Sequence, residues 1–223
     1  MRLRTDEPSG APWQAVPLGS AVDALLRRRA RPVMLAVDGR SASGKTTLSG
    51  RVAALVRNSA VVHTDDVAWS HSIFGWPDLL RAGILTPARR GAAVTYRPPA
   101  WWAKGRAGSI DVAAGVDLLV VEGVGVARAE LAPLFDVVVW VQSDEDEIDR
   151  RNAGRIAAGE ISGSLFDVWM AEEIPFLAAE RPWERADLVV AGTSPIPHDT
   201  AREVVLSRRF WRAMAAPTAV SQG

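Results

Sequence analysis

Gly39-Arg40-Ser41-Ala42-Ser43-Gly44-Lys45-Thr46 matches G-x-x-x-x-G-K-[ST] in full, between an apolar run ending at Val37 and a stretch carrying Leu48, Val52, Leu55 and Val56. A buried strand turning into a helix at this point makes a phosphate-binding loop. Its glycines let backbone N–H groups close round an anion, and the following helix adds the positive end of its dipole. The binding set is Gly39, Ser41, Ala42, Ser43, Gly44, Lys45, Thr46 and Thr47. Lys45, which shares the chain with one other lysine, Lys104, reaches the outer phosphates, and the Thr46 hydroxyl can ligate Mg²⁺.

A phosphate loop alone says only that a nucleotide binds. Transferring a phosphoryl group requires an acceptor placed in line and neutralisation of the spreading negative charge. Asp65 stands at the tip of an apolar strand, where a carboxylate can take the proton of an attacking hydroxyl. Asp66 is its neighbour; Asp65 is favoured as the base, and a helix N-cap accounts for one of the pair. Glu122 ends another apolar strand and is expected to face the metal, directly or through water. Arg151 and Arg155 share one helical face and can close over phosphates, although Asp144 to Glu147 also offer them surface ion pairs.

Five strands are expected to position these groups: Pro32 to Val37, Ala60 to His63, Val116 to Gly123, Phe135 to Val141 and Asp187 to Ala191. Helices are expected before the first strand at Val22 to Leu26, then over about 45–57, 144–159 and 165–179, with a closing helix from Pro197 to Met214. Alternating strands and helices imply a three-layer α/β fold with a mainly parallel sheet. Residues 1–17 read as a mobile leader and 18–223 as one domain, with an irregular lobe at about 69–112 and a lid at about 144–160. Within the lobe a helical piece lies near Asp78 to Ala82, and prolines hold Tyr96 to Trp102 extended. Trp69, Trp76, Trp101 and Trp102 gather there, as lobe core or as faces for an acceptor, whereas Trp140, Trp169 and Trp211 sit in core patterns. The Arg27 to Arg31 cluster reads as a solvated helix end.

The 223 residues suffice for one sizeable core. A formal charge of zero, with arginines interleaved among acids, argues against a nucleic-acid partner. The absence of cysteine excludes a disulfide framework and thiol catalysis, and the three histidines, His63, His71 and His198, lack metal spacing. No secretory core or membrane-length apolar run is present, so a cytoplasmic protein without membrane association is expected. A homo-oligomer is compatible with all of this.

From the first strand to about Ala191 the chain resembles the uridine kinase, phosphoribulokinase and pantothenate kinase group of P-loop small-molecule kinases. His63-Thr64-Asp65 falls where that group has S-Q-D or T-T-D, and Val120-Val121-Glu122-Gly123 matches V-x-E-G. Tyr96-Arg97-Pro98-Pro99-Ala100-Trp101 has the separation of Y-D-x-x-x-H, and Tyr96 is the one tyrosine of the chain. Arg150-Arg151-Asn152-Ala153-Gly154-Arg155 echoes the lid motif R-R-x-x-R-D, and Arg185 to Val190 echoes K-Y-A-D-V-I-I. The resemblance implies a P-loop NTPase fold with a helical lid and a small acceptor-binding lobe. It also implies ATP and Mg²⁺ as cofactors, Asp65 as catalytic base, Glu122 linked to the metal, and a small-molecule hydroxyl as phosphate acceptor. Asp65, Asp78, Tyr96, Arg97 and Trp101 are then the acceptor-site candidates.

The departures bear on the acceptor. Where uridine kinases have F-D-H-P-D to hold ribose, this chain reads Phe74-Gly75-Trp76-Pro77-Asp78. Arg97 replaces an Asp, Trp101 replaces the pocket histidine, and the last lid arginine is displaced by one residue. A nucleoside such as uridine or cytidine leads as acceptor. A pantothenate-like acid, a sugar, nicotinamide riboside or an antibiotic is the alternative that Gly75 and Arg97 favour. A nucleotide-binding switch or ATPase acting on a protein is the rival from another class.

Overall fold

The computed structural model describes residues 1–4, 6–27 and 31–208. The chain enters through strand β1 (Trp13–Pro17) and helix α1 (Leu18–Leu26). The phosphate loop joins β2 (Val33–Gly39) to α2 (Lys45–Ala54), and β3 (Ser59–His63) runs directly into the one-turn helix α3 (Thr64–Ala68). The lobe contains α4 (Pro77–Leu80), a π turn at Arg81–Leu85, α5 (Thr86–Arg89), β4 (Val94–Tyr96), α6 (Pro99–Ala103) and β5 (Ile110–Val112). After β6 (Leu118–Glu122) and β7 (Val137–Gln142) come the lid helix α7 (Glu145–Ala157) and α8 (Gly163–Glu180). Two further strands, β8 (Leu188–Ala191) and β9 (Glu203–Ser207), complete the described chain.

Seven strands form the main sheet, in the order β1-β9-β8-β7-β2-β6-β3, so the expectation of five is corrected. The five central strands are mutually parallel, and β8-β9 and β9-β1 are antiparallel. Val204, Val205 and Leu206 are buried within β9, where a helix from Pro197 was expected; the rest of that helix, with Trp211, lies outside the described residues. Two successive β-branched residues favour the pleat over a helix once an edge is open to them. That edge is closed by β1, in register from Trp13 opposite Ser207 to Pro17 opposite Glu203. Part of the leader expected over 1–17 is therefore sheet. Arg28 to Ala30 of the arginine cluster also fall outside the description.

Alternate residues of each central strand face opposite layers, as the two-residue period of a strand demands. Val33, Leu35 and Val37 share a core with α1 and α2, through Val22, Leu25, Leu48 and Val52. Met34, Ala36, Leu119, Val121 and Trp140 share the other core with the lobe and with Leu177 of α8. Both faces of the sheet are covered, which is why these strands read as unbroken apolar runs. The parallel strands all deliver their carboxyl ends to one edge, and the phosphate loop, α3, Glu122 and the lid stand there.

Prolines 98 and 99 do not hold Tyr96 to Trp102 extended throughout. Pro99 occupies the first turn of α6, where the missing N–H costs nothing, and both Trp101 and Trp102 are helical. The lid helix is well terminated: the Asp144 carboxylate accepts from the backbone N–H of Asp146 at 3.1 Å and of Glu147 at 3.4 Å. Acids fill its first turn and Arg155 its last, which complements the helix dipole.

Candidate functional site

The site is a cleft of about 1020 Å³ along that edge. Gly44, Lys45, Thr46 and Thr47 line it at the start of α2, where the first backbone donors have no intrahelical acceptor. Ser41 and Ala42 line it too, together with Asp65, Glu122, Arg151, Arg155 and Trp169. Six candidates from four different elements, Lys45, Thr46, Asp65, Glu122, Arg151 and Arg155, thus meet in one cavity.

The loop owes its shape to two backbone features. Gly44 has φ 100°, a left-handed conformation that suits glycine, and Ala42 adopts φ 58° despite its Cβ. A side chain at Gly39 would come within 2.7 Å of both Ser43 Oγ and the Val141 carbonyl, so the loop lies hard against β7. Outside bonds then hold it. The buried Asp38 carboxylate accepts from the N–H groups of Gly39, Gly125 and Ala127 at 2.7, 2.9 and 2.8 Å. Burial nonetheless pushes its pKa up to about 6 against the pull of those bonds. The Ser41 N–H donates to Glu173 at 3.1 Å, Ser143 Oγ donates to the Ser43 carbonyl at 2.8 Å, and Arg151 donates to the Ala42 carbonyl at 3.0 Å.

Lys45 Nζ donates to the Arg40 carbonyl at 2.8 Å. The Thr46 hydroxyl donates to Glu122 Oε1 at 3.0 Å, and His63 Nδ1 lies 2.5 Å from the same oxygen. Burial raises the Glu122 pKa, but the His63 bond and the charges of Lys45 and His63 outweigh it, so the carboxyl ends below its ordinary range. His63 is raised in return, chiefly by its bond to Glu122. Among the described residues no three His, Cys, Asp or Glu side chains form a metal cage. A hydroxyl and an ionised carboxylate side by side nevertheless fit Mg²⁺, which takes few protein ligands and keeps the rest as water and phosphate oxygens.

Asp65 opens onto the cleft, but protein surrounds it on its other sides. That burial raises its pKa, with the Lys45 charge acting against the rise and Glu122 adding to it. Asp66, beside it, points elsewhere: its carboxylate pairs with Arg106 at 2.6 Å, and its carbonyl accepts from the Trp101 indole at 2.9 Å. Arg151 pairs with Glu147 at 2.7 Å while also reaching the loop and the Gly192 carbonyl, at 3.3 Å. Burial lowers its pKa. Arg155 is more exposed and pairs with Glu160 at 3.4 Å.

The acceptor-site candidates are placed differently. Asp78 is 88% exposed and paired with Arg81 at 2.9 Å, away from the cleft. Tyr96 packs its ring against Gly83, where a built Cβ would lie 2.6 Å from the ring, and burial raises its pKa. Arg97 donates to the Arg106 carbonyl at 2.5 Å and lies 3.9 Å from the Trp102 ring centroid. Trp101 is buried against α3, with the Arg106 guanidinium 3.6 Å from its ring centroid. Of these, Trp101 alone is bonded to the helix that bears Asp65.

Several residues of the cleft and its surroundings escaped the sequence reading. Arg106, which stacks on Trp101 and pairs with Asp66 without lining the cleft, gave no motif, because a loop brings it back over Trp101. Trp169, read as core, lines the cleft; its N–H donates to Glu173 at 2.5 Å, and Phe74 of the lobe tilts against it at 5.9 Å. Glu173 had no signal of its own, since Glu172 stands beside it in α8 and only the buried position of Glu173 separates the two. The segment from Ala191 to Thr200, with Thr193, Ser194 and His198, forms the far wall.

No protein-family model matches the chain, and no curated protein does. Among solved structures it is similar to a candidate fructose transport system kinase from Silicibacter sp. TM1040, with a TM-score of 0.53 and 17% identity over 77% of this chain and 95% of that one. A possible uridine kinase from Bacillus stearothermophilus gives a TM-score of 0.48 and 22% identity over 77% of this chain and 96% of that one. The first likeness bears on the fold alone, an α/β fold with a mostly parallel central sheet and a glycine-rich loop between its first parallel strand and the following helix. No helix among the described residues is long and apolar enough to cross a membrane.

Proposed function

We propose that this chain is a Mg-ATP-dependent kinase that transfers the γ-phosphate to a hydroxyl of a small molecule, a nucleoside 5′-hydroxyl being the leading acceptor. The observation that carries the proposal is the presence of Asp65, a carboxylate with a raised pKa, in the same cleft as the Lys45 loop and the Thr46–Glu122 pair. A nucleotide-binding switch leaves a base at that place unexplained, and the blank without acceptor separates a kinase from an ATPase that would use the base on water. The candidate kinase name of the Silicibacter protein agrees with it.

In this reading the acceptor hydroxyl gives its proton to Asp65 as its oxygen bonds to the γ-phosphorus. The bond from that phosphorus to the bridging oxygen breaks, and ADP leaves. Thr46 and Glu122 would hold Mg²⁺, which when bound would supply neutralisation of negative charge on the phosphate. Lys45 exchanges the Arg40 carbonyl for phosphate oxygens, and Arg151 and Arg155 offset the negative charge from the lid side. Burial lowers the cost of protonating Asp65, which moves the base towards working pH.

A second reading keeps this chemistry and changes the acceptor to an anionic small molecule. Gly75 stands where a ribose-binding carboxylate would be, Asp78 is turned to solvent, and Arg97 and Arg106 stack on the tryptophans of the lobe. The test is ADP release in Mg-ATP against nucleosides, pantothenate, sugars and nicotinamide riboside, beside a blank without acceptor. The proposal expects one acceptor class to raise the rate well above the blank. Turnover in the blank that no acceptor increases would replace it with the ATPase or switch reading.

A further inference from the structure

The segment ahead of β1 takes no part in the phosphate motif, yet it is bonded to it. Glu7 and Arg40 form an ion pair at 3.0 Å whose side chains are 2% and 9% exposed. The second Glu7 oxygen accepts from the Trp140 indole at 2.7 Å and from the Gln142 amide at 3.0 Å. Gln142 in turn donates to the Pro8 carbonyl at 2.9 Å and accepts from the Gly10 N–H at 2.8 Å. Both oxygens of the carboxylate are therefore engaged, and residues 7–10 are fastened over the end of β7.

Arg40 is the second residue of the phosphate loop, and its two ends face different ways. Its guanidinium is drawn back to Glu7 and lies 5.8 Å from the Trp183 ring centroid, whereas its carbonyl accepts from Lys45 Nζ and from the Ser43 N–H. Fixing the guanidinium fixes the carbonyl. The same segment also holds the lid helix: the Arg2 N–H donates to Asp144 at 2.6 Å, the Glu145 N–H donates to the Arg2 carbonyl at 2.9 Å, and Arg4 pairs with Glu145 at 3.2 Å.

We propose that Glu7 is a positioning residue for the nucleotide: through Arg40 it sets the carbonyl on which Lys45 rests, and residues 2–4 and 6–10 act as a strap that keeps the phosphate loop and the lid helix in register. The inference rests on the phosphate-binding half of the proposed function and is independent of the acceptor. A buried guanidinium deprived of its carboxylate must turn towards water. Pro8 and Ser9 beside Glu7 are exposed, so water lies within reach, and turning towards it pulls on the Arg40 backbone. Sites of this kind tolerate little such displacement before they lose affinity.

The test is an equilibrium titration of the full chain with a fluorescent ATP analogue and Mg²⁺, alongside thermal melting. Glu7→Gln leaves an amide N–H facing a guanidinium; it is expected to weaken the analogue about tenfold and to lower the melting temperature. The double variant Glu7→Gln with Arg40→Met removes the stranded cation and is expected to bring the affinity back to within about twofold of wild type. Glu7→Gln protein that melts earlier but binds the analogue with unchanged affinity would reduce the strap to a brace and overturn the proposal. Should Glu7→Gln not fold, Arg2→Ala with Arg4→Ala removes the side-chain pairs with Asp146 and Glu145 at the lid end of the strap, leaving the two Arg2 backbone bonds, and is expected to weaken the analogue about threefold. Unchanged affinity in that variant overturns the proposal as well. A wild-type chain that does not bind the analogue overturns the proposal together with the phosphate-binding reading. No phosphoryl transfer is needed for this readout, so an acceptor panel without turnover leaves it standing.

Discussion

At the phosphate end of the cleft, successive loop residues are tied to separate parts of the chain: Arg40 to Glu7, Ser41 to Glu173, Ala42 to Arg151 and Ser43 to Ser143. In the lobe over residues 69–112 the order comes from side chains stacked on one another. Arg106 lies between Trp101 and Trp69, at 3.6 and 5.2 Å, and Arg97 lies over the exposed Trp102. In the proposed function the first arrangement shapes backbone around a charge common to every nucleotide, and a single geometry serves it. The second uses planar groups that can be exchanged without moving the main chain, which suits a region whose ligand varies between related folds.

The sharpest way to break this comparison is at Asp65, which connects the two ends. Asp65→Asn is expected to lower kcat by about 10²- to 10⁴-fold with the ATP-analogue affinity and the fold retained. An activity close to wild type would transfer the role of base to Asp66. Next in size is Arg106→Ala, which leaves Asp66 without its partner. It should raise KM for the acceptor about tenfold and leave nucleotide affinity unchanged; a parallel loss of nucleotide affinity would show that the two ends are not separable.

The smallest expected effect concerns pH. His63 is raised by its bond to Glu122, so its contribution to stability is full below its unfolded value of 6.5 and fades as pH rises through the higher folded value. Glu122 is lowered, so its contribution is present above 4.5 and fades as pH falls through the lower folded value. The gap in melting temperature between wild type and His63→Gln should be widest between those limits and shrink on either side. Because the imidazole is 41% exposed, solvent screens the pair and the gap should be small, roughly 2–3 °C. A gap that does not vary with pH would mean that the pair is not an ionic one.

What could be read in the sequence follows the same division. That Lys45, Thr46, Asp65 and Glu122 would meet in one cleft was legible because each ends or soon follows a parallel strand, and the apolar runs of β2, β3 and β6 mark where those ends fall. Arg106 and Trp169 were not, since stacking partners are brought together by loops and carry no spacing. Glu7 looked like one more acid in a polar leader; its partners stand at positions 40, 140 and 142. The antiparallel strands β1 and β9 failed for a related reason. Each is five residues long, and they pair with each other across almost the whole described chain.

That last pairing governs the order in which the molecule can be completed during synthesis. Among the described strands β1 leaves the ribosome first and β9 last, and β1 has no other neighbour in the sheet. At about 5–20 residues per second, β1 waits through the emergence of the whole parallel core before its hydrogen-bonding row is covered. During that interval the edge of β8 is bare as well, because β9 is also its antiparallel neighbour. A nascent chain with the phosphate loop already formed thus still presents an open sheet edge, and one five-residue strand closes it on both sides.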